Sequence, residues 1–109
     1  MNLNEIKEKL KSFYFLENIN DERIDELCEK TKTVFIEKDK ILFRKGEQYH
    51  KGLYLIYDGK VQLTSPDFKN ELILSNGDVV GVMAFVGKST YNANAMILED
   101  SELIFLPDV

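Results

Sequence analysis

The sequence predicts a mainly β, antiparallel fold of the double-stranded β-helix or jelly-roll type, with two helices at its N-terminal end. Apolar residues first recur every three or four positions and then, from about residue 32, alternate with polar ones. Turn residues separate roughly seven or eight short apolar runs, with no helix-length segment between them. This pattern disfavours parallel βαβ units and favours an antiparallel roll, which leaves few open strand edges.

Two helices are predicted before the strands. Apolar residues recur at helical spacing across residues 3–13, with lysines and glutamates between them. A second helix is expected to start after Asn20, which can cap it, and to turn Ile24, Leu27 and Cys28 inward. Residues 1–30 are therefore expected to form an N-terminal helical segment.

Turn chemistry organises the β half of the chain. Asp58-Gly59 lies between two apolar runs and predicts a two-residue hairpin, because both turn positions require a positive φ. Further turns are expected at 45–47, 65–67 and 76–77. The predicted strands lie at about 34–36, 41–43, 53–57, 60–64, 71–74, 79–80, 91–97 and 101–106.

The composition is that of a single acidic domain. The chain has 109 residues, 44% of them hydrophobic, and a net charge of −5. A negative field repels phosphate backbones, so direct DNA or RNA binding is not expected. One cysteine cannot form an internal disulfide, and no apolar run approaches the ~18 residues of a membrane span, so a cytoplasmic location is expected.

The most informative segment is 77–86, which is followed by Tyr91-Asn92-Ala93. It consists of a tight turn, a strand, Gly81 and a short apolar helical turn. Backbone N–H groups in such an arrangement can cradle a phosphate. The segment therefore predicts the position of a ligand pocket.

Residues 30–106 resemble the cyclic-nucleotide-binding domain at the front of Crp/Fnr-type bacterial transcription regulators. The resemblance rests on three glycine-bearing segments, at 41–47, 53–61 and 77–81. It implies an eight-stranded jelly roll with helices at its N-terminal end. It also implies a phosphate-binding cassette directly after Gly81.

In that family, a glutamate after the cassette glycine binds the ribose, and an arginine before a Ser/Thr-Ala pair neutralises the cyclic phosphate. The resemblance matches Val82 to the glutamate, Tyr91 to the arginine and Asn92-Ala93 to the pair. Losing both contacts removes about 3–6 kcal/mol, or two to four decades of affinity. The residues expected to bind a ligand are Gly81, Val82, Met83, Ala84, Phe85, Tyr91, Asn92 and Ala93.

Other chemistry finds little support in the residue pattern. The segment 87–90 resembles the end of a P-loop, but Val82 stands where that motif needs a glycine. His50 is the only histidine, expected in a surface loop, and Cys28 is the only cysteine, so neither can complete a zinc or iron–sulfur site. No nucleophile–base pair is evident. We therefore expect no catalytic residue, metal or cofactor, and no enzymatic activity.

The resemblance implies that the chain is a sensory domain of a Crp/Fnr-type regulator. Residues 31–109 are expected to form the β-roll effector domain, while the dimer helix and the helix-turn-helix DNA-binding domain are expected to be missing from this chain. The expected partners are a small-molecule effector less polar than a nucleotide, such as an aromatic acid, a second copy in the full-length form, and DNA only through the missing domain. The alternatives are an effector-free scaffold or dimerisation domain of the same fold, and a cupin-like enzyme.

Overall fold

The computed structural model describes residues 21–67 and 69–107 of the chain, which form two helices and six strands. The helices and strands, in chain order, are α1 (Asp21–Lys30), β1 (Lys32–Ile36), β2 (Ile41–Phe43), β3 (Gly52–Thr64), β4 (Leu72–Leu74), β5 (Val79–Val80), α2 (Val82–Gly87) and β6 (Asn94–Pro107).

The two longest strands, β3 and β6, pair antiparallel with each other and carry the rest of the sheet. β6 also pairs with β1 and β2, and β3 also pairs with β4 and β5. Every pairing between strands is antiparallel. The predicted mainly β, antiparallel fold is therefore confirmed.

The hairpin predicted at Asp58-Gly59 is wrong, because both residues lie inside β3. The strands predicted at 91–97 and 101–106 likewise form one strand, β6. Between the pairs Asp58↔Glu102 and Lys60↔Glu99, β6 contains one residue more than β3. The positive φ of Gly59, 148°, thus serves a β-bulge instead of a turn.

Ser101, on the opposite strand β6, stabilises this bulge through two hydrogen bonds. Its side chain is fully buried, and its hydroxyl donates to the carbonyl of Glu99 at 2.7 Å and accepts the N–H of Lys60 at 3.2 Å. A Cβ added at Gly59 would lie 1.9 Å from the Ser101 Oγ. The close approach therefore requires glycine on β3.

Of the remaining predictions, some are met by the structure and others concern residues that it does not describe. The helix predicted after Asn20 is present as α1. The turn at 76–77 is present, but it joins two strands that both pair with β3, so it is not a hairpin turn. The helix predicted within residues 1–20 and the inward packing predicted for Ile24, Leu27 and Cys28 lie outside what the structure describes.

The core is centred on the paired strands β3 and β6. Burial roughly alternates along β6, as expected for a strand with one face turned inward, whereas the first five residues of β3 are all buried. The largest fully buried apolar side chains are Leu55, Ile56, Val61, Val80, Ile97, Leu103 and Ile104. Among the described residues, no helix has the length and apolar character needed to cross a bilayer.

The bulge generates a stability prediction. Gly59→Ala should lower the free energy of unfolding by about 2–4 kcal/mol, because the new methyl group overlaps Ser101 and the φ is unfavourable. Gly46→Ala is the matched control: its φ is +89°, but no atom lies within 4 Å of the added Cβ. It should cost only about 1–2 kcal/mol. Urea unfolding measures both, and equal costs would contradict the steric role of Ser101.

Candidate functional site

The site is built around the glycine that precedes α2. Gly81 adopts a left-handed conformation, with φ 85° and ψ 25°, and its carbonyl accepts the N–H of Phe85 at 3.1 Å. A Cβ added there would lie 3.1 Å from the ring of Tyr91. The helix ends at Gly87 and is followed by Lys88, which is also left-handed, and the N–H of Ser89 donates to the carbonyl of Ala84. The short helical turn expected after Gly81 is therefore present.

A pocket of about 260 Å³ lies beside this turn, against β4, β5 and the approach to β6. Among the described residues, Asn92 is the only one on its lining with a polar side chain, and none of the charged ones lines it. The described lining residues are Phe43, Leu63, Leu72, Leu74, Val79, Gly81, Val82, Met83, Asn92 and Ala93.

The structure brings most of the predicted ligand-binding residues together. Three of the predicted residues do not line the pocket. Ala84 is the buried residue of α2, Phe85 packs partly buried against the core, and Tyr91 is buried in the core. Binding of a ligand by the set stays a prediction. The predicted residues that line the pocket are Gly81, Val82, Met83, Asn92 and Ala93.

Tyr91 faces the core instead of the pocket. Its ring stacks on Phe43 with a centroid distance of 3.6 Å and an interplanar angle of 4°, and only 3% of the residue is exposed. Its hydroxyl accepts the backbone N–H of His50 at 3.0 Å. Stacking combined with a satisfied hydroxyl favours the buried orientation. Phe43, which the sequence analysis did not select, is the ring that reaches the pocket.

His50 takes part in a polar network that the sequence analysis missed. Its Nδ1 lies 2.7 Å from the hydroxyl of Tyr54, its Nε2 contacts the carboxylate of Glu47, and its ring meets Tyr91 edge-on at 5.2 Å. The half-buried imidazole is therefore not the surface histidine that was expected. The available signal was the number of nearby tyrosines, because a buried tyrosine hydroxyl requires a partner.

Burial and hydrogen bonding change the acidity of these groups. The hydrogen bond with His50 lowers the pKa of Glu47. Burial, with smaller contributions from Tyr91 and Glu47, raises the pKa of Tyr54 to about 12. Burial also raises the pKa of Tyr91. Both phenols therefore remain neutral hydrogen-bonding groups at physiological pH.

Across residues 21–67 and 69–107, no three side chains of the His, Cys, Asp or Glu type are grouped so as to hold a metal ion. The cupin-like enzyme stays an untested alternative.

The shifted phenol predicts a loss of stability at high pH. The pKa of Tyr54 is about 12 in the folded chain against 10.0 ordinarily, so the unfolded chain releases the proton first. Stability present below pH 10 should therefore fall as the pH rises to 12, by about 2–3 kcal/mol from this group. Denaturant unfolding across this range measures it. Tyr54→Phe should show a shallower decline, and an unchanged slope would contradict the assignment.

Proteins with similar structures include regulatory domains of protein kinase A. The regulatory domain of Toxoplasma gondii PKA with cAMP matches with a TM-score of 0.87 and 17% identity, over 96% of this chain and 42% of that chain. The regulatory subunit of a cAMP-independent protein kinase A from Trypanosoma cruzi, bound to guanosine, matches with a TM-score of 0.85 and 17% identity, over 97% and 38%. Identities this low show the fold alone.

One similar curated protein is the neuropathy target esterase sws of Drosophila persimilis, which is 28% identical over 79 residues. The match covers 69% of this chain but only 5% of that protein's length. The family model of the cyclic nucleotide-binding domain matches residues 33–108. That span includes the sheet, the bulge and the pocket, so the chain belongs to the cyclic nucleotide-binding domain family.

Proposed function

We propose that this chain is an effector-sensing domain whose pocket does not select cyclic nucleotides, and that its role is binding and not catalysis. One observation carries the proposal: within residues 21–67 and 69–107, the pocket is lined by a single polar side chain and by no charged one. A cyclic nucleotide carries a phosphate charge, which needs a charged or hydrogen-bonding partner when it leaves water.

The two positions that select cyclic nucleotides in the family both support this reading. Val82 lines the pocket where the resemblance places the ribose-binding glutamate, and it offers no hydrogen-bond acceptor beyond its backbone. Tyr91, at the arginine position, points into the core and bonds to His50. Neither position therefore supplies the side-chain hydrogen bond that would compensate for desolvation of the ribose or the phosphate.

The ligands of similar structures show how much the fold tolerates. The Toxoplasma gondii domain was solved with cAMP, and the Trypanosoma cruzi subunit with guanosine, which has no phosphate. A phosphate is thus not required of every ligand held by this fold. In this chain we propose a small effector that shifts the population between two states of a larger regulator.

The type of regulator stays a prediction. The three glycine-bearing segments support the Crp/Fnr-type transcription regulator, with dimerisation and DNA binding supplied by sequence outside this chain. The similar proteins reported above belong to other kinds, namely protein kinase A regulatory subunits and an esterase. Sequencing the coding region beyond Val109 tests this part, because a regulator of that type requires a helix-turn-helix there.

A second candidate, an effector-free interaction domain, is favoured by a row of four side chains across the sheet that is apolar except for Gln62. Ile41, Met96, Gln62 and Ile73 are successive cross-strand partners on four neighbouring strands. Ile41 and Ile73 are 41% and 49% exposed. Exposed apolar residues in a row are typical of surfaces that bind another protein.

Calorimetric titration with cAMP and cGMP tests the main proposal. The unmodified chain should show no binding in the micromolar range, and micromolar affinity for either nucleotide would overturn the proposal. Asn92→Arg, which places a cation on the pocket lining, should raise cAMP affinity about 10- to 100-fold through one charge-assisted contact. Thr33→Arg adds the same charge on exposed β1 and should change nothing.

A thermal-shift panel separates the two candidates. A bound effector should raise the melting temperature of the chain, because a ligand that binds only the folded state stabilises it. A flat response across nucleosides, neutral rings and organic anions would favour the effector-free interaction domain.

A further inference from the structure

We infer that the pocket takes a neutral ligand with an apolar body about the size of two fused rings and one polar group that bonds to Asn92. This inference rests on the proposed function, since it names the chemical class of the effector. It also replaces the aromatic acid named in the sequence analysis with an uncharged ring.

The pocket volume sets the size of the ligand. A dry apolar cavity of about 150 Å³ holds one benzene molecule. The present pocket, at about 260 Å³, has less than twice that volume. It therefore accepts a fused bicyclic body within the lined space, and a larger ligand would extend toward solvent past the exposed side chains of Leu72, Val82 and Met83.

The charge pattern around the pocket argues against an acid. None of the lysines and arginines in the part of the chain that the structure describes lines it. Lys45 donates its backbone N–H to Asn94, two residues after Asn92, but its ammonium group is paired with Asp67 at 3.0 Å. A ligand carboxylate would lose hydration without gaining a cationic partner on the described lining. A neutral ring does not carry this desolvation cost.

The mouth of the pocket supplies apolar contact area. Leu72, Val82 and Met83 line the pocket and are 50%, 42% and 69% exposed. A ring seated between them would cover apolar surface that water now contacts, which is favourable in proportion to the area buried. Met83 adapts to flat rings because its side chain is unbranched and polarizable.

Asn92 supplies the one directional contact. Its side-chain amide offers both an acceptor and two donors, so it can pair with either an N–H or a carbonyl on the ligand. A ligand with many polar groups would leave most of them without partners on this lining. The combination selects a mostly apolar ring with one polar edge.

Titration of the full 109-residue chain with indole and with indole-3-acetate, followed by amide NMR, tests the inference. Indole should shift resonances of α2 and the side-chain amide of Asn92. Indole-3-acetate should bind at least about 10-fold more weakly, because it adds only an unpaired carboxylate to the same ring. Met83→Ser should weaken indole binding about 3- to 10-fold. Val86→Ser, on the same helix and 73% exposed but off the lining, should leave it unchanged.

Two results would overturn the inference: indole-3-acetate binding as tightly as indole, or no indole-induced shift at the pocket. A parallel cAMP titration distinguishes a failure of the proposed function from a failure of the ligand class alone. Micromolar cAMP binding overturns the proposed function as well. Binding of indole-3-acetate or another charged ring without cAMP binding overturns only the ligand class.

Discussion

The antiparallel pairing of β3 with β6 holds the other strands of the described chain in place. β1 and β2 pair with β6, and β4 and β5 pair with β3. Each of these four short strands is therefore bonded to the described sheet through only one of the two long strands. The register of their pairing shifts between Ile56 and Val61, at the bulge where Gly59 approaches Ser101 too closely for any side chain. The pairing continues on both sides of this bulge, so the same two strands carry every other strand of the described sheet.

The pocket is a consequence of this arrangement. Inward side chains on β3 and β4 form one wall, and the cassette turn after Gly81 forms another. Their positions depend on backbone pairing, which tolerates a change of side chain. The resemblance to cyclic-nucleotide-binding domains places the nucleotide-selecting side chains at 82 and 91, where this chain has valine and tyrosine. The cavity therefore depends on backbone pairing, and its proposed selectivity depends on the side chains.

The fold class, the cassette turn and several turns could be predicted from local sequence, because periodicity and turn chemistry are local properties. Asp58-Gly59 could not be assigned correctly, since a bulge and a hairpin turn both use glycine at a positive φ and only the partner strand distinguishes them. The orientation of Tyr91 depends on Phe43 and His50, which are more than 40 residues away in the chain. No local pattern carries that information.

The stacked pair of Phe43 and Tyr91 also constrains how this domain can evolve. Replacing Tyr91 with arginine would bury a guanidinium against Phe43 and leave the N–H of His50 without its acceptor. Introducing a cation at this position is thus coupled to the core and to the loop that carries His50. The side chain at position 91 is part of the scaffold, so a charged residue there requires accompanying changes in its neighbours.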